Sequence, residues 1–502
     1  MKLTAILKGI KYTAYADGKE TLLQPTAEVG EIVFDSRKAA PETLFVAQKG
    51  VHADGHVFIP SAIAQGAAYI VCQDLPAEQP EKVTFIKVDN SDLALGLMAS
   101  NFYGNPSHKL KLIGITGTNG KTTTVTLLYN MMREMGCHAG LISTIVNKID
   151  GEEIPTTHTT PDAVEINRLL GIMVEHGCEY CFMEVSSHAI VQNRIAGLLF
   201  AGGIFSNITH DHLDYHKSMD NYIAAKKAFF DGLPKTAFAL TNIDDKNGRV
   251  MVQNCNADIK TYSLQTVADF HCKIVESSIH GQHVEMSFPD GSRHEFWTPL
   301  VGRFNAYNIT AIVATAYLCE KDNGKGVDGI LLTASKLQAA PGRFQYIHGM
   351  GITAIVDYAH TPDALKNVID TINEVRRKEQ NLITVVGCGG DRDPLKRPIM
   401  ARIAAEGSDK LILTSDNPRT ENPETILDAM EKGLEPMQLS GVVRISDRRQ
   451  AIRTAVMMAR EGDIILIAGK GHETYQEING VRHHFDDREE VGKLLDANET
   501  NL

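Results

Sequence analysis

One stretch constrains the fold more than any other: "KLIGITGTNGKTTTVTLLYN", Lys111 to Asn130. "KLIGIT" is a short apolar run that reads as a buried strand. "TTTVTLLYNMMREMG" reads as a helix, and between them lies a glycine loop. A strand, a glycine loop and a helix in that order are the setting of a phosphate-binding loop. The usual spacing, G-x-x-x-x-G-K-[ST], is not met. Counting back from Gly120-Lys121-Thr122, the first glycine would fall at 115, where Ile115 stands; glycines lie at 114 and 117 instead. The chemistry is nevertheless that of an anion site. Gly114, Gly117 and Gly120 let the backbone turn closely. The helix that begins at Lys121 presents free N–H groups and the positive end of its dipole. Lys121 supplies a charge for phosphates, and Thr122 a hydroxyl for a magnesium ion.

The rest of the chain repeats the strand–helix alternation. "AGLIST", "YCFMEVS", "GGIFSNI" and "FALTNID" are buried-strand runs, and "AVEINRLLGIMVEHG" has helical spacing. From about 258 to 300 the pattern becomes β-rich ("HVEMSF", "HEFWTPL"), which suggests an antiparallel elaboration. "ITAIVDY", "LITVVGC", "KLILTS" and "DIILIAG" form a last set of strands separated by helical patterns. The first hundred residues also alternate, and end in a helix closed by Gly104 and the linker-like "GNPSHK". At 502 residues the chain is too long for one core. The expectation is an α/β protein of three domains: residues 1–107, 108–340 and 341–502. The first and last are Rossmann-like. The middle one is a P-loop parallel-sheet domain with the β-rich addition.

Composition excludes several classes. A net charge of −12 argues against general nucleic acid binding. No run of 18 apolar residues suggests a membrane span, and Lys8 and Lys11 interrupt any signal-like start. Eight cysteines, including Cys178-x-x-Cys181, read as buried thiols rather than a disulfide or metal framework. A cytoplasmic protein is expected.

Carboxylates at strand ends are candidate cation ligands, because in open α/β sheets ligands bind at the carboxyl ends of strands. Glu184 ends "YCFMEV". "SNITHDHLDYH" offers His210, Asp211, His212, Asp214 and His216, open to a transition-metal reading or to loop capping.

These segments together resemble the Mur ligase family. The likeness is carried by "TGTNGKTTT", "MEVSSHAIVQNR", "SNITHDHLDYH", "YIAAKKAFF", "GRFNAYN" and "DSRKAAPETLFVAQKGVHADGHVFI", and it runs nearly the whole chain. The family's loop has this compact form. The resemblance implies an ATP-dependent amide ligase of peptidoglycan precursor synthesis, with UDP-substrate, ATP and amino-acid domains. It implies ATP contacts from Gly117, Thr118, Asn119, Gly120, Lys121, Thr122 and Thr123. Further nucleotide contacts are implied for Asn305, Asn308, Arg343 and Asp357, with His360 acting from across the cleft. Ser36 resembles a contact to the UDP-sugar. Thr159, Thr160, Ser186, Gln192 and Arg194 resemble contacts to the muramoyl dipeptide. Thr122, Glu184 and His212 resemble ligands of two magnesium ions. Lys226, rather than the adjacent Lys227, matches the lysine that the family carbamylates, which would make it an anion able to bridge the second ion. Without the resemblance it reads as an ordinary exposed helix lysine.

The amine is indicated by "LTSDNPRTENP". Asp416, Asn417, Pro418 and Arg419 match the form associated with meso-diaminopimelate, whose far carboxylate an arginine can grip in a bidentate fork. Arg392 offers a second clamp. Gly469 and Glu473 can receive ammonium groups. The expected substrates are therefore UDP-MurNAc-L-Ala-D-Glu, meso-diaminopimelate and ATP, joined by a monomer through an acyl phosphate. A lysine-adding ligase of the same family is the alternative.

Overall fold

A computed structural model describes residues 1–50, 53–156, 158–320 and 326–496, the side chain of Asp214 excepted. Three sheets follow one another along the chain. The first has the order Lys19–Thr21, Tyr12–Ala16, Thr84–Val88, Tyr69–Cys72, Thr43–Val46, Glu31–Val33. Its last four strands are parallel, and Tyr12–Ala16 runs against them.

The middle sheet has eleven strands. Lys111–Thr116 lies at its centre, between Tyr180–Glu184 and Gly202–Phe205, and pairs parallel with both. All but the first residue of this strand are buried, because helices cover both faces. Successive connections leave the central strand in opposite directions, which opens a crevice at its carboxyl end. Asp258–Ser263 differs from expectation. It extends the parallel sheet beside Phe238–Asn242, and the antiparallel run starts only at Phe270–Ser278. Its buried residues cluster at one end instead of alternating, so the strand gives no clear period.

The third sheet has the order Gln345–Gly349, Ile352–Asp357, Ile464–Ala468, Leu382–Val386, Lys410–Leu413, Val442–Arg444. Only its first pair is antiparallel. A hairpin, Tyr475–Ile478 with Val481–His484, stands apart from it.

Local chemistry sets the helix starts. Asp162, Ser218 and Thr361 each accept a backbone N–H and cap the helices Ala163–Glu175, Met219–Asp231 and Pro362–Val375. The helix Lys121–Glu134 has no side-chain cap; Gly120 precedes it in the left-handed region at φ +88°. Its first N–H groups are thus left for a ligand.

The "GNPSHK" segment is not a loose linker. Pro106–His108 forms a 3-10 turn, Pro106 and Ser107 are buried, and Ser107 Oγ accepts from Leu199 N at 3.0 Å. Ala163 packs into the core of the first sheet, so that sheet and the middle one share apolar contacts. All eight cysteines are free thiols, and Cys178 and Cys181 are buried. Among the described residues no helix is long and apolar enough to cross a membrane.

Candidate active site

The glycine loop is pinned from one side by the segment that follows the strand Gly202–Phe205. Asn207 Oδ1 accepts from Asn119 N at 2.9 Å, and Asn207 Nδ2 donates to Asn119 O at 3.1 Å. Ser206 Oγ donates to Asn119 O at 2.7 Å. Gly117, at φ +152°, passes so close that a Cβ there would lie 1.9 Å from Ser206 Oγ. Ser206 and Asn207 were not singled out in the sequence. They lie inside "SNITHDHLDYH", but only the parallel register of the two strands brings them to the loop. Thr118 Oγ1 lies 3.1 Å from the Tyr222 hydroxyl.

Lys121 Nζ curls over the loop and donates to the carbonyls of Gly117 and Thr118 at 3.0 and 2.8 Å. Burial pushes its pKa down. Thr122 Oγ1 donates to Glu184 Oε2 at 3.0 Å, while Glu184 Oε1 accepts from Thr144 N at 2.7 Å. Thr123 is buried in the same helix turn. Asn308 sits over Gly120, and its Nδ2 donates to Asn305 Oδ1 at 3.2 Å. Asn305 in turn donates to Val301 O.

Lys226 is not an exposed helix lysine. It is 1 % exposed, and its Nζ donates to Gly117 O at 2.8 Å, so it lies directly behind the loop. Burial, reinforced by the charge of Lys121, holds its amine well below the ordinary lysine value. Lys227 instead pairs with Asp231 on the outer side of the helix.

The residues expected to contact the dipeptide converge beside Glu184. Thr160 Oγ1 donates to Glu184 O at 2.7 Å and accepts from Ser186 N at 3.1 Å. Arg194 Nη1 donates to Thr160 O at 2.8 Å, and its Nε and Nη2 both donate to Gln192 Oε1. Thr159 Oγ1 accepts from Thr144 Oγ1 at 3.1 Å. Gln192 and Arg194 line a cleft of about 220 Å³ together with Phe34, Gln48 and Asp92 of the first sheet's domain. Ser36 is not brought into this cleft. It is buried in the 3-10 turn Ser36–Lys38, and Phe34 is the neighbour that lines the cleft.

His212 lies on the exposed side of its loop in the left-handed region, with Nε2 3.3 Å from Asp211 and its ring against His188. His216 bonds Ser187 Oγ at 2.9 Å through Nε2. The side chain of Asp214 lies outside the described residues. Among the described residues no three His, Cys, Asp or Glu side chains converge as a metal cluster would require.

The third sheet's domain closes onto the loop. Arg343 Nη2 donates to Thr122 Oγ1 at 3.3 Å, its guanidinium stacks 4.5 Å from the centre of the Tyr358 ring, and its Nε is buried with no hydrogen-bond partner. Asp357 Oδ2 accepts from Phe344 N at 2.7 Å and so holds the turn that carries Arg343. Burial raises the Asp357 carboxyl to about 6. His360 Nδ1 bonds Tyr358 O at 2.9 Å. Asp363 Oδ2, three residues further on, accepts from Asn119 Nδ2 at 2.9 Å and Thr209 Oγ1 at 3.3 Å.

The residues expected to bind the amine follow three neighbouring parallel strands at their carboxyl ends. Arg419 is half-buried at φ +51°, and its Nη1 donates to Gly390 O at 2.7 Å. Arg392 is exposed and donates to Asp391 O, while Asp391 accepts from Thr420 Oγ1 at 2.8 Å. The two arginine loops are therefore tied together. Pro418 packs against Gly390, where a Cβ would lie 2.0 Å from Pro418 O. Asp416 Oδ2 sits over Gly469. Glu473 Oε2 accepts from Asn417 Nδ2 at 2.8 Å and from Lys470 Nζ at 3.0 Å. Lys470 was not singled out in the sequence, since a lysine in a glycine-rich turn reads as solvated.

Three family models match in chain order: "Mur ligase family, catalytic domain" over residues 28–103, "Mur ligase middle domain" over 115–316, and "Mur ligase, glutamate ligase domain" over 342–471. A relative from Phocaeicola vulgatus named UDP-N-acetylmuramoyl-L-alanyl-D-glutamate--2,6-diaminopimelate ligase is 51% identical over 99% of this chain and 100% of its own. One from Cytophaga hutchinsonii with the same name is 55% identical over 94% of this chain and 95% of its own. A solved structure of a ligase of that name is 33% identical, covers 99% of both chains and superposes with a TM-score of 0.69. The MurF ligase of Thermotoga maritima, solved in complex with ADP, shares the fold at 18% identity and a TM-score of 0.61, over 95% of this chain and 99% of its own.

Proposed function

Because the chain belongs to the Mur ligase family, we propose that it adds meso-2,6-diaminopimelate to the D-glutamate of UDP-N-acetylmuramoyl-L-alanyl-D-glutamate, with ATP as the energy source, in peptidoglycan precursor synthesis. A cytoplasmic monomer is the form we envisage. The observation that carries this reading is one continuous hydrogen-bonded path, Arg343–Thr122–Glu184–Thr160–Arg194. It links the first turn of the loop helix to the residues that line the cleft, which supports a phosphoryl group and a carboxylate being bound side by side.

The residues present fit ATP. The uncapped helix start offers N–H groups to phosphates, and Lys121 needs only to leave two loop carbonyls to reach them. The unpartnered Arg343 Nε is a buried donor beside Thr122, suited to an anion. Thr122 and Glu184 would hold magnesium in the sparse manner that suits this ion, with water and phosphate completing its shell; His212 and a carbamylated Lys226 are the further ligands we propose. Magnesium, when bound, supplies positive charge to the phosphates. For Lys226, a buried amine held well below its ordinary pKa is the neutral nucleophile that carbon dioxide requires.

In this mechanism the γ-carboxylate of D-glutamate attacks the γ-phosphorus, the bond to ADP breaks, and an acyl phosphate forms. Lys121 and Arg343 stabilise the charge on the transferring group. The neutral amine of diaminopimelate then attacks the acyl carbon, and phosphate leaves as the amide forms. Arg419, with Arg392, grips the far carboxylate and so selects this amine over lysine, which has none. Holding three reactants together is the task of the three closing domains. Amino-acid-dependent phosphate release with the UDP-linked dipeptide tests the proposal. Diaminopimelate should support release and lysine should not; release with lysine alone would replace this reading with the lysine-adding one.

A further inference from the structure

We propose that Lys470 is a positioning residue for the amine substrate: buried beneath the amino-acid subsite, it holds Asn417 and Glu473 in register and thereby sets the affinity for the diamino acid. This rests on the assignment of that subsite above.

Lys470 follows the strand Ile464–Ala468 and is 0% exposed. An ammonium in such a place is stable only if its donors are satisfied. Nζ donates to Asn417 Oδ1 and to Glu473 Oε2, both at 3.0 Å, and lies 5.5 Å from the centre of the Tyr475 ring. The bond from Asn417 Nδ2 to Glu473 Oε2, 2.8 Å, closes a triangle. Asn417 Oδ1 also accepts from Glu477 N at 2.9 Å. The Asn417 amide can therefore face only one way, with its oxygen toward two donors and its nitrogen toward the carboxylate.

The triangle ties three segments into one unit: the Asp416–Arg419 loop, the turn after Ile464–Ala468, and the hairpin strand Tyr475–Ile478. Arg419 rides on it, because its backbone N donates to Glu477 O at 3.0 Å. Charge points the same way. Burial and the neighbouring Asp416 raise the Glu473 carboxyl, while Lys470 and Asn417 oppose them. Without Lys470 the Glu473 carboxyl loses the cation that opposes its raised pKa, and both Asn417 and Glu473 lose the donor that holds them in place.

Steady-state kinetics of the full chain test this, with KM measured separately for diaminopimelate and ATP. Lys470→Met should raise KM for diaminopimelate about tenfold or more, with KM for ATP nearly unchanged. In a Glu473→Gln background the same substitution should have a much smaller effect, since its partner is already altered. Where Lys470→Met does not fold, Lys470→Gln, which keeps N–H donors but loses the charge, serves in the same comparison. An unchanged KM for diaminopimelate, a matching rise for ATP, or fully additive single effects would overturn the role of Lys470. An unchanged KM for diaminopimelate in Arg419→Lys would overturn the subsite assignment itself, whatever the Lys470 variants do.

Discussion

Thr122 donates its hydroxyl proton to Glu184 Oε2 at 3.0 Å and so joins the start of the loop helix to the end of the neighbouring strand. A carboxylate placed there can share a cation with the hydroxyl; an amide is a much weaker ligand for a hard ion. Glu184→Gln keeps the shape of the site. It should lower kcat by about a hundredfold or more and raise the magnesium concentration needed for half-maximal activity. A thermal unfolding midpoint close to wild type would show that the fold is intact.

Lys226 and Lys227 are neighbours in the chain with opposite surroundings, one behind the loop and one paired with Asp231 on the outer face. Lys226→Ala should be nearly inactive and regain part of its activity with added short-chain carboxylates. Lys227→Ala should remain active, with a stability change of about 0.5 kcal/mol or less. Full activity in Lys226→Ala would remove this residue from the mechanism.

Arg419 occupies a left-handed backbone position, so its replacement should leave backbone strain unchanged. Arg419→Lys meets that condition and retains the charge, but loses the planar fork. KM for diaminopimelate should rise about tenfold or more while KM for ATP stays constant. A parallel loss of ATP affinity would assign Arg419 to domain closure instead.

Asp357 titrates at about 6 when folded, against an ordinary value of 3.8, because it is buried. Between these values the folded state binds more protons than the unfolded state. The group's contribution to stability therefore falls as pH rises through that window and is lost above it. Its burial disfavours the folded state at pH 7 by roughly 3 kcal/mol relative to acid pH. Asp357→Asn should accordingly gain in unfolding midpoint over wild type between pH 4 and pH 7, while losing activity as the Arg343 turn loosens. A constant difference across that range would contradict the assignment.

The sheets and the loop were legible in the sequence because strands such as Tyr180–Glu184 are buried on both faces and read as unbroken apolar runs. The uncapped start of the loop helix was legible too, since glycine and lysine stand where a capping serine or aspartate is usual. Contacts made by topology were not. Asn119 and Asp363 are 244 positions apart, and no local pattern pairs them. Nor does one local pattern distinguish the buried Lys226 and Lys470 from solvated lysines; each is buried only once a second segment covers it. The family likeness drew attention to the first and not to the second. Phe34 shows the converse: it lines the cleft although no motif marks it, two positions before the buried motif residue Ser36.

In the proposed mechanism the phosphate of ATP activates a carboxylate for amide formation. Labelling the γ-carboxylate of the D-glutamate with oxygen-18 and analysing the released phosphate by mass spectrometry tests it most directly. Each phosphate formed together with amide should carry one labelled oxygen. Unlabelled phosphate accompanying amide product would contradict it.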